Sequence, residues 1–239
     1  MQHHRFVLDR TVATVVFTDR SDGSLALSEN ADDLRARRLA ITDRPWLALR
    51  QVHGSAVLNG DTVDHDSVRA GEATAPPPAA DAATVTTVGP AVSVLAADCA
   101  PVVLIGTTGV AVVHAGWRGA AAGVIDAAAD ALRSSGAIPI ASLLGPCIQP
   151  AGYEFGEDDL EPIAAHFGPE IVARSSIGSL ALDLTRVVQV SCGRAGWPEP
   201  DRPRCTSGAE YFSHRTRGDI GRQSAVAWLD DLPGGEADV

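Results

Sequence analysis

Residues 82–114, AATVTTVGPAVSVLAADCAPVVLIGTTGVAVVH, form the densest apolar stretch of the chain and indicate its fold most clearly. The stretch is dense in Val, Leu, Ile and Ala, and turn residues at 89–90 and 107–109 divide it into short apolar runs. Short apolar runs bounded by turns are typical of buried β-strands. The stretch therefore predicts strands over 82–88, 91–97, 102–105 and 110–113.

Weaker patterns on both sides predict the remaining elements. Strands are expected over 7–18 (a strand or hairpin), 46–52, 142–144, 180–184 and 224–229. Helices are expected over 30–39, from about 119 to 133, over 157–167 and over 185–193, and residues 60–80 are expected to form a surface loop. Because strands and helices do not alternate regularly, the sequence favours an α+β fold over a doubly wound sheet.

Length and composition limit the classes of protein. A chain of 239 residues can bury a large core, and we predict a single domain over 1–239 with flexible tails at 1–6 and 233–239. The net charge of −11 argues against nucleic acid as a partner, since a phosphate backbone requires a cationic surface. Neither an apolar signal core nor a run of transmembrane length is present, which predicts a cytoplasmic protein with no membrane partner and with reduced thiols. The oligomeric state is left open.

Two histidines and one cysteine stand in distinctive short strings. His53 lies in QVHG, Cys99 closes ADC, and His114 opens HAGWRG. All three end short apolar strands, so all can project from one rim of a sheet. Two imidazoles and a thiol suit Zn²⁺, and three protein ligands leave a fourth position open, as in catalytic zinc sites. Each residue also has a purely structural interpretation, as a buried thiol or a capping histidine.

Arginines near these strings are candidates for binding an anion. Gly116 and Gly119 allow close approach of the backbone, and the helix that follows offers unpaired N–H groups. Arg118 could bind a phosphate or carboxylate, or form a structural ion pair. Arg50, beside QVHG, and Arg222, near the C-terminal strand, are further candidates for phosphate binding.

Taken together, these strings resemble the YfiH family. Its members are described as laccase-like polyphenol oxidases, purine nucleoside phosphorylases and peptidoglycan editing factors. The resemblance is carried by QVHG, ADCAP at 97–101, HAGWRG, GPCI at 145–148 and the segment 211–222. It implies two layers of β-sheet flanked by helices, an α-β-β-α sandwich, and it implies that His53, Cys99 and His114 bind a metal, usually zinc.

Three positions depart from the family's pattern. The family's N-terminal turn, of Ser-Thr-Arg-Gly-Gly type, is FTDR at 17–20, so no substrate role is assigned to Arg20. Gln149 stands where the family has Gly after Gly-Pro-x-Ile. His214 replaces the second aromatic residue of the Phe-Ser-Tyr-Arg string. Changes at Gln149 and His214 can alter the shape or specificity of the pocket.

The residues and the resemblance together favour one activity. We expect a purine nucleoside phosphorylase with one zinc per chain, acting on adenosine, inosine and methylthioadenosine with phosphate, with adenosine deamination as an additional reaction. Phosphorolysis needs an oriented phosphate and stabilisation of the departing base. The usual signature of nucleobase deaminases is absent, so deamination would need another acid or base, for which Asp98 is the candidate.

Three alternatives stay open. A cysteine hydrolase or amidase that edits a peptidoglycan precursor would use Cys99 as nucleophile and a histidine as base. A laccase-like oxidase would place Cu²⁺ in the trio, although seven histidines are too few for a type-1 site plus a trinuclear cluster, and the only methionine is Met1. A small-molecule or partner-binding protein would leave the open coordination position unused.

Overall fold

The computed structural model describes residues 1–64, 70–73 and 76–232. The strands are β1 (Gln2–Val7), β2 (Thr11–Phe17), β3 (Trp46–Ala48), β4 (Val57–Asn59), β5 (Ala82–Val85), β6 (Ala91–Ala96), β7 (Ala100–Gly106), β8 (Gly109–Ala115), β9 (Pro139–Leu144), β10 (Val172–Arg174), β11 (Leu180–Leu182) and β12 (Gln223–Asp231). The α-helices are α1 (Ala31–Leu39), α2 (Trp117–Ala121), α3 (Val124–Ser134), α4 (Glu157–Phe167), α5 (Leu184–Arg194) and α6 (His214–Arg217).

Most of the strands belong to two five-stranded sheets. Sheet I has the order β1-β2-β12-β6-β3, and sheet II has the order β4-β5-β8-β7-β9. The pairs β3–β6 and β4–β5 are parallel, while the other pairs within these sheets are antiparallel. A small antiparallel ribbon joins β10 and β11. The strands predicted over 82–114 are present, but they are shared between the two sheets, because β6 pairs in sheet I.

The core has two layers of side chains on either side of sheet II. On β7, Val103 and Ile105 pack between the two sheets, whereas Val102 and Leu104 face helices α3 and α5. All four are completely buried, which explains why β7 reads as a continuous apolar run rather than an alternating one. On the outer face of sheet I, the guanidinium of Arg38 in α1 lies 5.4 Å from the ring of buried Trp46. The chain therefore forms the predicted α+β fold, two sheets flanked by helices.

Several predicted boundaries were wrong. The tail expected at 1–6 is an edge strand, because β1 pairs with β2 along its whole length, and most of its exposed side chains are polar. The helix expected from 119 to 133 is two helices, because Gly123 adopts a left-handed conformation with φ of 82° between α2 and α3. The strand expected over 46–52 ends at Ala48. The C-terminal tail predicted at 233–239 lies outside the described residues, as does part of the loop at 60–80.

None of the helices in the described ranges is long and apolar enough to cross a membrane.

Candidate functional site

The structure brings the side chains of His53, Cys99 and His114 together. Their ligand atoms all lie within 4.8 Å of one another. The Cys99 Sγ lies 3.8 Å from the His53 Nε2, and the two imidazole rings meet edge to face with centroids 4.9 Å apart. Cys99 directly precedes β7 and His114 lies near the end of β8, and the pairing of these two strands places them side by side. His53 comes from the loop that follows β3.

A buried carboxylate, Asp81, holds two of these residues in place. It directly precedes β5 and has no exposed surface. Its two oxygens accept hydrogen bonds from the backbone N–H groups of Val52, His53 and Gly54, at 2.8 to 3.1 Å. The Oδ1 atom also accepts a hydrogen bond from His114 Nδ1 at 2.9 Å. Asp81 therefore fixes both the loop that carries His53 and the orientation of the His114 ring.

This arrangement fits a metal ion. Because the Asp81 carboxylate can only accept, the proton of neutral His114 is on Nδ1, and Nε2 is left as the ligand atom. A carboxylate behind a ligating histidine is the usual support in protein metal sites. Tetrahedral zinc with ordinary bond lengths would place sulfur and nitrogen ligands about 3.6 Å apart, close to the 3.8 Å between Cys99 and His53. The group could therefore hold one metal ion.

The electrostatics of the trio favour a charged sulfur. Burial raises the pKa of the Cys99 thiol, but hydrogen bonds with His114 and His53 outweigh it and lower the pKa to about 6. Burial likewise lowers the pKa of His114, but its hydrogen bonds with Asp81 and Cys99, together with the negative charges of both groups, outweigh this and raise the pKa to about 9. The pKa of Asp81 falls to about 2, because its hydrogen bonds with His114 and the backbone amides outweigh its burial. A thiolate is the form in which cysteine binds metals.

Gly116 leaves the space that the trio needs. A Cβ atom added at this position would lie 3.0 Å from the Cys99 Sγ and 3.0 Å from a carbon of the His53 ring. The backbone of Gly116 has a φ of −70° and a ψ of 162°, which any residue can adopt. The requirement for glycine is therefore one of space and not of conformation.

Asp98, the predicted acid or base, is engaged in other contacts. It is a non-glycine residue with φ of 125° in the turn between β6 and β7. Its carboxylate accepts hydrogen bonds from the hydroxyls of Thr206 and Ser213 and from the backbone N–H of Arg215, each at 2.6 Å. These bonds anchor the segment around α6 to the turn that carries Cys99. The contacts favour a positioning role for Asp98.

The trio lies in an open cavity of about 510 Å³. The residues that line it are His53, Cys99, His114, Arg50, Arg222, His214, Gln51, Ser28, Ala26, Leu27, Leu49, Leu95, Ala96, Ala97 and Ile220. Two of the predicted phosphate-binding residues, Arg50 and Arg222, are thus beside the trio. Arg118 does not line this cavity, and its guanidinium stacks 4.2 Å from the centre of the Trp117 ring.

Other residues singled out in the sequence lie away from the cavity. Arg20 forms an ion pair with Asp219 at 2.6 Å, a structural contact. Gln149 accepts a hydrogen bond from Arg202 and does not line the cavity. Cys147 is completely buried, and this burial raises the pKa of its thiol to about 12, as expected for an inert core cysteine.

Sequence reasoning missed Asp81. The only signal in the sequence was a lone carboxylate in the run AADAA, directly before a strand predicted to be buried. A buried charge must be paired or hydrogen-bonded. That rule identifies Asp81 as a residue with buried partners, although it does not identify those partners.

Comparisons with known proteins place the chain in a family. A model of the family described as multi-copper polyphenol oxidoreductase laccase matches residues 16–230. A purine nucleoside phosphorylase of Xylella fastidiosa is 35% identical over 190 residues, which cover 76% of this chain and 71% of that protein. The purine nucleoside phosphorylase YfiH of Escherichia coli is 29% identical over 211 residues, 84% of this chain and 82% of that protein.

A solved structure supports the same fold. The Bacillus licheniformis hypothetical protein YfiH superposes with a TM-score of 0.78 at 21% identity, covering 92% of this chain and 97% of that chain. At this level of identity the likeness shows the fold alone, and it agrees with the two-sheet arrangement described above. The sequence matches and the shared fold together show that this chain belongs to the YfiH family, whose model is described as multi-copper polyphenol oxidoreductase laccase.

Proposed function

We propose that this protein is a zinc-dependent purine nucleoside phosphorylase that acts on adenosine and inosine, with methylthioadenosine as a further substrate. The observation that carries the proposal is the convergence of His53, Cys99 and His114 in a cavity that also contains two arginines. The cavity volume lies within the range of small-molecule sites, about 300–1,000 Å³. The curated relatives named purine nucleoside phosphorylase support the choice of reaction.

Arg50 and Arg222 are the proposed phosphate-binding residues. Arginine presents several N–H donors in a planar fork that suits phosphate oxygens. The Arg222 guanidinium is held in place because its Nη1 donates to the backbone carbonyls of residues 219, 220 and 221, at 2.8 to 3.0 Å. Arg50 lies on an exposed part of the cavity wall, next to the loop that carries His53. The two side chains give the cavity the positive charge that an anionic co-substrate needs.

Zinc is the proposed metal because the ligand set is two imidazoles and one thiolate with a free side toward the cavity. The family description points to copper, which the same three atoms could also bind. A bound zinc ion would act as a Lewis acid toward a substrate oxygen or activate a water molecule. The chain's own contribution is to fix the ligands: Asp81 orients His114, and Gly116 leaves room for the sulfur and the His53 ring.

Product analysis tests the proposal. The purified protein is incubated with adenosine or inosine, with and without phosphate, and the products are separated by chromatography. We expect phosphate-dependent release of adenine or hypoxanthine, and loss of this activity in Cys99→Ala. Conversion of adenosine to inosine in the same assay would add the deaminase activity.

Two other outcomes would contradict the proposal. Oxidation of a phenol by the copper-loaded protein, with no release of base, would favour the laccase-like activity. Cleavage of an amide-linked cell-wall precursor that is insensitive to chelators and abolished by iodoacetamide would favour the cysteine hydrolase.

A further inference from the structure

We propose that His214 is the proton donor to the departing purine, an inference that rests on the phosphorylase activity proposed above. When the bond between C1′ of the sugar and N9 of the base breaks, its electron pair stays with the purine. A phosphate oxygen then forms the new bond to C1′. The purine needs a proton, for which N7 is the accessible acceptor, and a positioned imidazolium can supply it.

The composition of the cavity wall leads to His214. Among the lining residues in the described part of the chain, the side chains of the types that most often act as catalytic acids or bases are His53, Cys99, His114 and His214. The first three are the proposed metal ligands. Arg50 and Arg222 are the proposed phosphate-binding residues. His214 is thus the lining residue of this kind that the proposed metal ligands leave available.

The backbone holds His214 at a fixed place beside the trio. Its N–H donates to the carbonyl of Ala97 at 3.2 Å. The residues on either side, Ser213 and Arg215, both bind the Asp98 carboxylate at 2.6 Å. Three consecutive residues are therefore tied to the two residues that precede Cys99. This gives the buried Asp98 carboxylate a clear purpose, which is to position the start of α6 relative to the metal centre.

Two apolar side chains of the same cavity suit the flat, apolar face of a purine. Ile220 and Leu27 both line the cavity, and they are 83% and 41% exposed. Small-molecule pockets are commonly lined by apolar side chains together with a few polar groups. A base resting against these side chains would share the cavity with His214 and the two arginines. The imidazolium donates its proton to N7, becomes neutral and is reprotonated by solvent, which receives the proton that hydrogen phosphate loses.

A pair of matched substrates tests this role. Inosine needs a proton at N7 as its base departs, whereas 7-methylinosine already carries a methyl group there and leaves as a neutral base without one. His214→Gln is compared with the wild-type protein, and with His166→Gln, which changes an exposed histidine of α4 that does not line this cavity. Zinc content per chain is measured for each variant, to show that the metal centre is intact.

We expect His214→Gln to lower turnover of inosine by about 100-fold or more, the usual size of a general acid's contribution, and to leave turnover of 7-methylinosine unchanged. His166→Gln should match the wild type on both substrates. Equal losses of His214→Gln on both substrates, or no loss on either, would overturn the role of His214 and leave the phosphorylase assignment standing. A wild-type protein that cleaves neither nucleoside in phosphate would instead overturn the proposed function, and the role of His214 with it.

Discussion

Replacing Asp81 with asparagine should weaken the metal centre without changing any metal ligand. The Asp81 carboxylate accepts four hydrogen bonds, three from the backbone of residues 52–54 and one from His114 Nδ1. Asparagine has nearly the same shape, but one end of its amide is an NH₂ group that cannot accept. Each oxygen accepts two of these bonds, so two donors lose their partner whichever way the amide turns.

The size of the effect follows from these contacts. A buried donor left without an acceptor costs about 1–3 kcal/mol of stability. Loss of the partner behind a ligating histidine typically costs about 10- to 100-fold in metal affinity, which corresponds to about 1.4–2.7 kcal/mol. We expect the Kd of Asp81→Asn for zinc to rise by this factor, measured at equilibrium against a chromophoric chelator.

Asp61→Asn is the matched control. The Asp61 carboxylate also holds a loop, because it accepts hydrogen bonds from the backbone N–H groups and hydroxyls of Thr86 and Thr87. It does not line the cavity that contains the trio. This variant should lose stability in urea unfolding while its zinc affinity stays that of the wild type. Wild-type zinc affinity in Asp81→Asn would refute the role assigned to Asp81.

Two further predictions concern the cavity. Gly116→Ala should weaken zinc binding, because its Cβ would lie 3.0 Å from the nearest atoms of two ligands, whereas Gly156→Ala should not, since it has nearly the same backbone angles at a helix N-cap and no atom within 4 Å of an added Cβ. Equal zinc affinity in the two variants, measured by chelator competition, would contradict the steric argument. Arg50→Ala should raise the KM for phosphate with zinc content unchanged, because it removes a cation from the cavity wall. Arg118→Ala should leave that KM unchanged. If steady-state kinetics showed a larger rise of the KM for phosphate in Arg118→Ala than in Arg50→Ala, the phosphate site would lie near Arg118 instead.

Local sequence patterns predicted where the strands lie better than which strands pair with one another. The strands within 82–114 were predictable because β7 and β8 are buried on both faces and contain little else than small and branched apolar residues. The assignment of β6 to the opposite sheet was not predictable, because its partners β12 and β3 are remote in sequence. The edge strand β1 was missed because its first four residues are polar and give no apolar run.

The same limit applies to the site. The trio was predictable because imidazole and thiol side chains at strand ends have recognisable ligand chemistry. The roles of Asp81 and Asp98 were not, since each depends on donors supplied by distant segments of the chain. One helix was predicted from about 119 to 133, whereas α2 begins at Trp117 and Gly123 separates it from α3. Nothing in the composition marks Gly123 as the residue that takes a left-handed conformation.

A zinc titration followed by activity directly tests whether base release depends on one zinc ion bound by the trio. The protein is depleted of metal with a chelator, zinc is added back in steps, and base release from inosine is measured in phosphate buffer. We expect activity to rise in proportion to added zinc and to level off at one zinc per chain, with no recovery in Cys99→Ala. Full phosphate-dependent activity in the metal-depleted protein would contradict it.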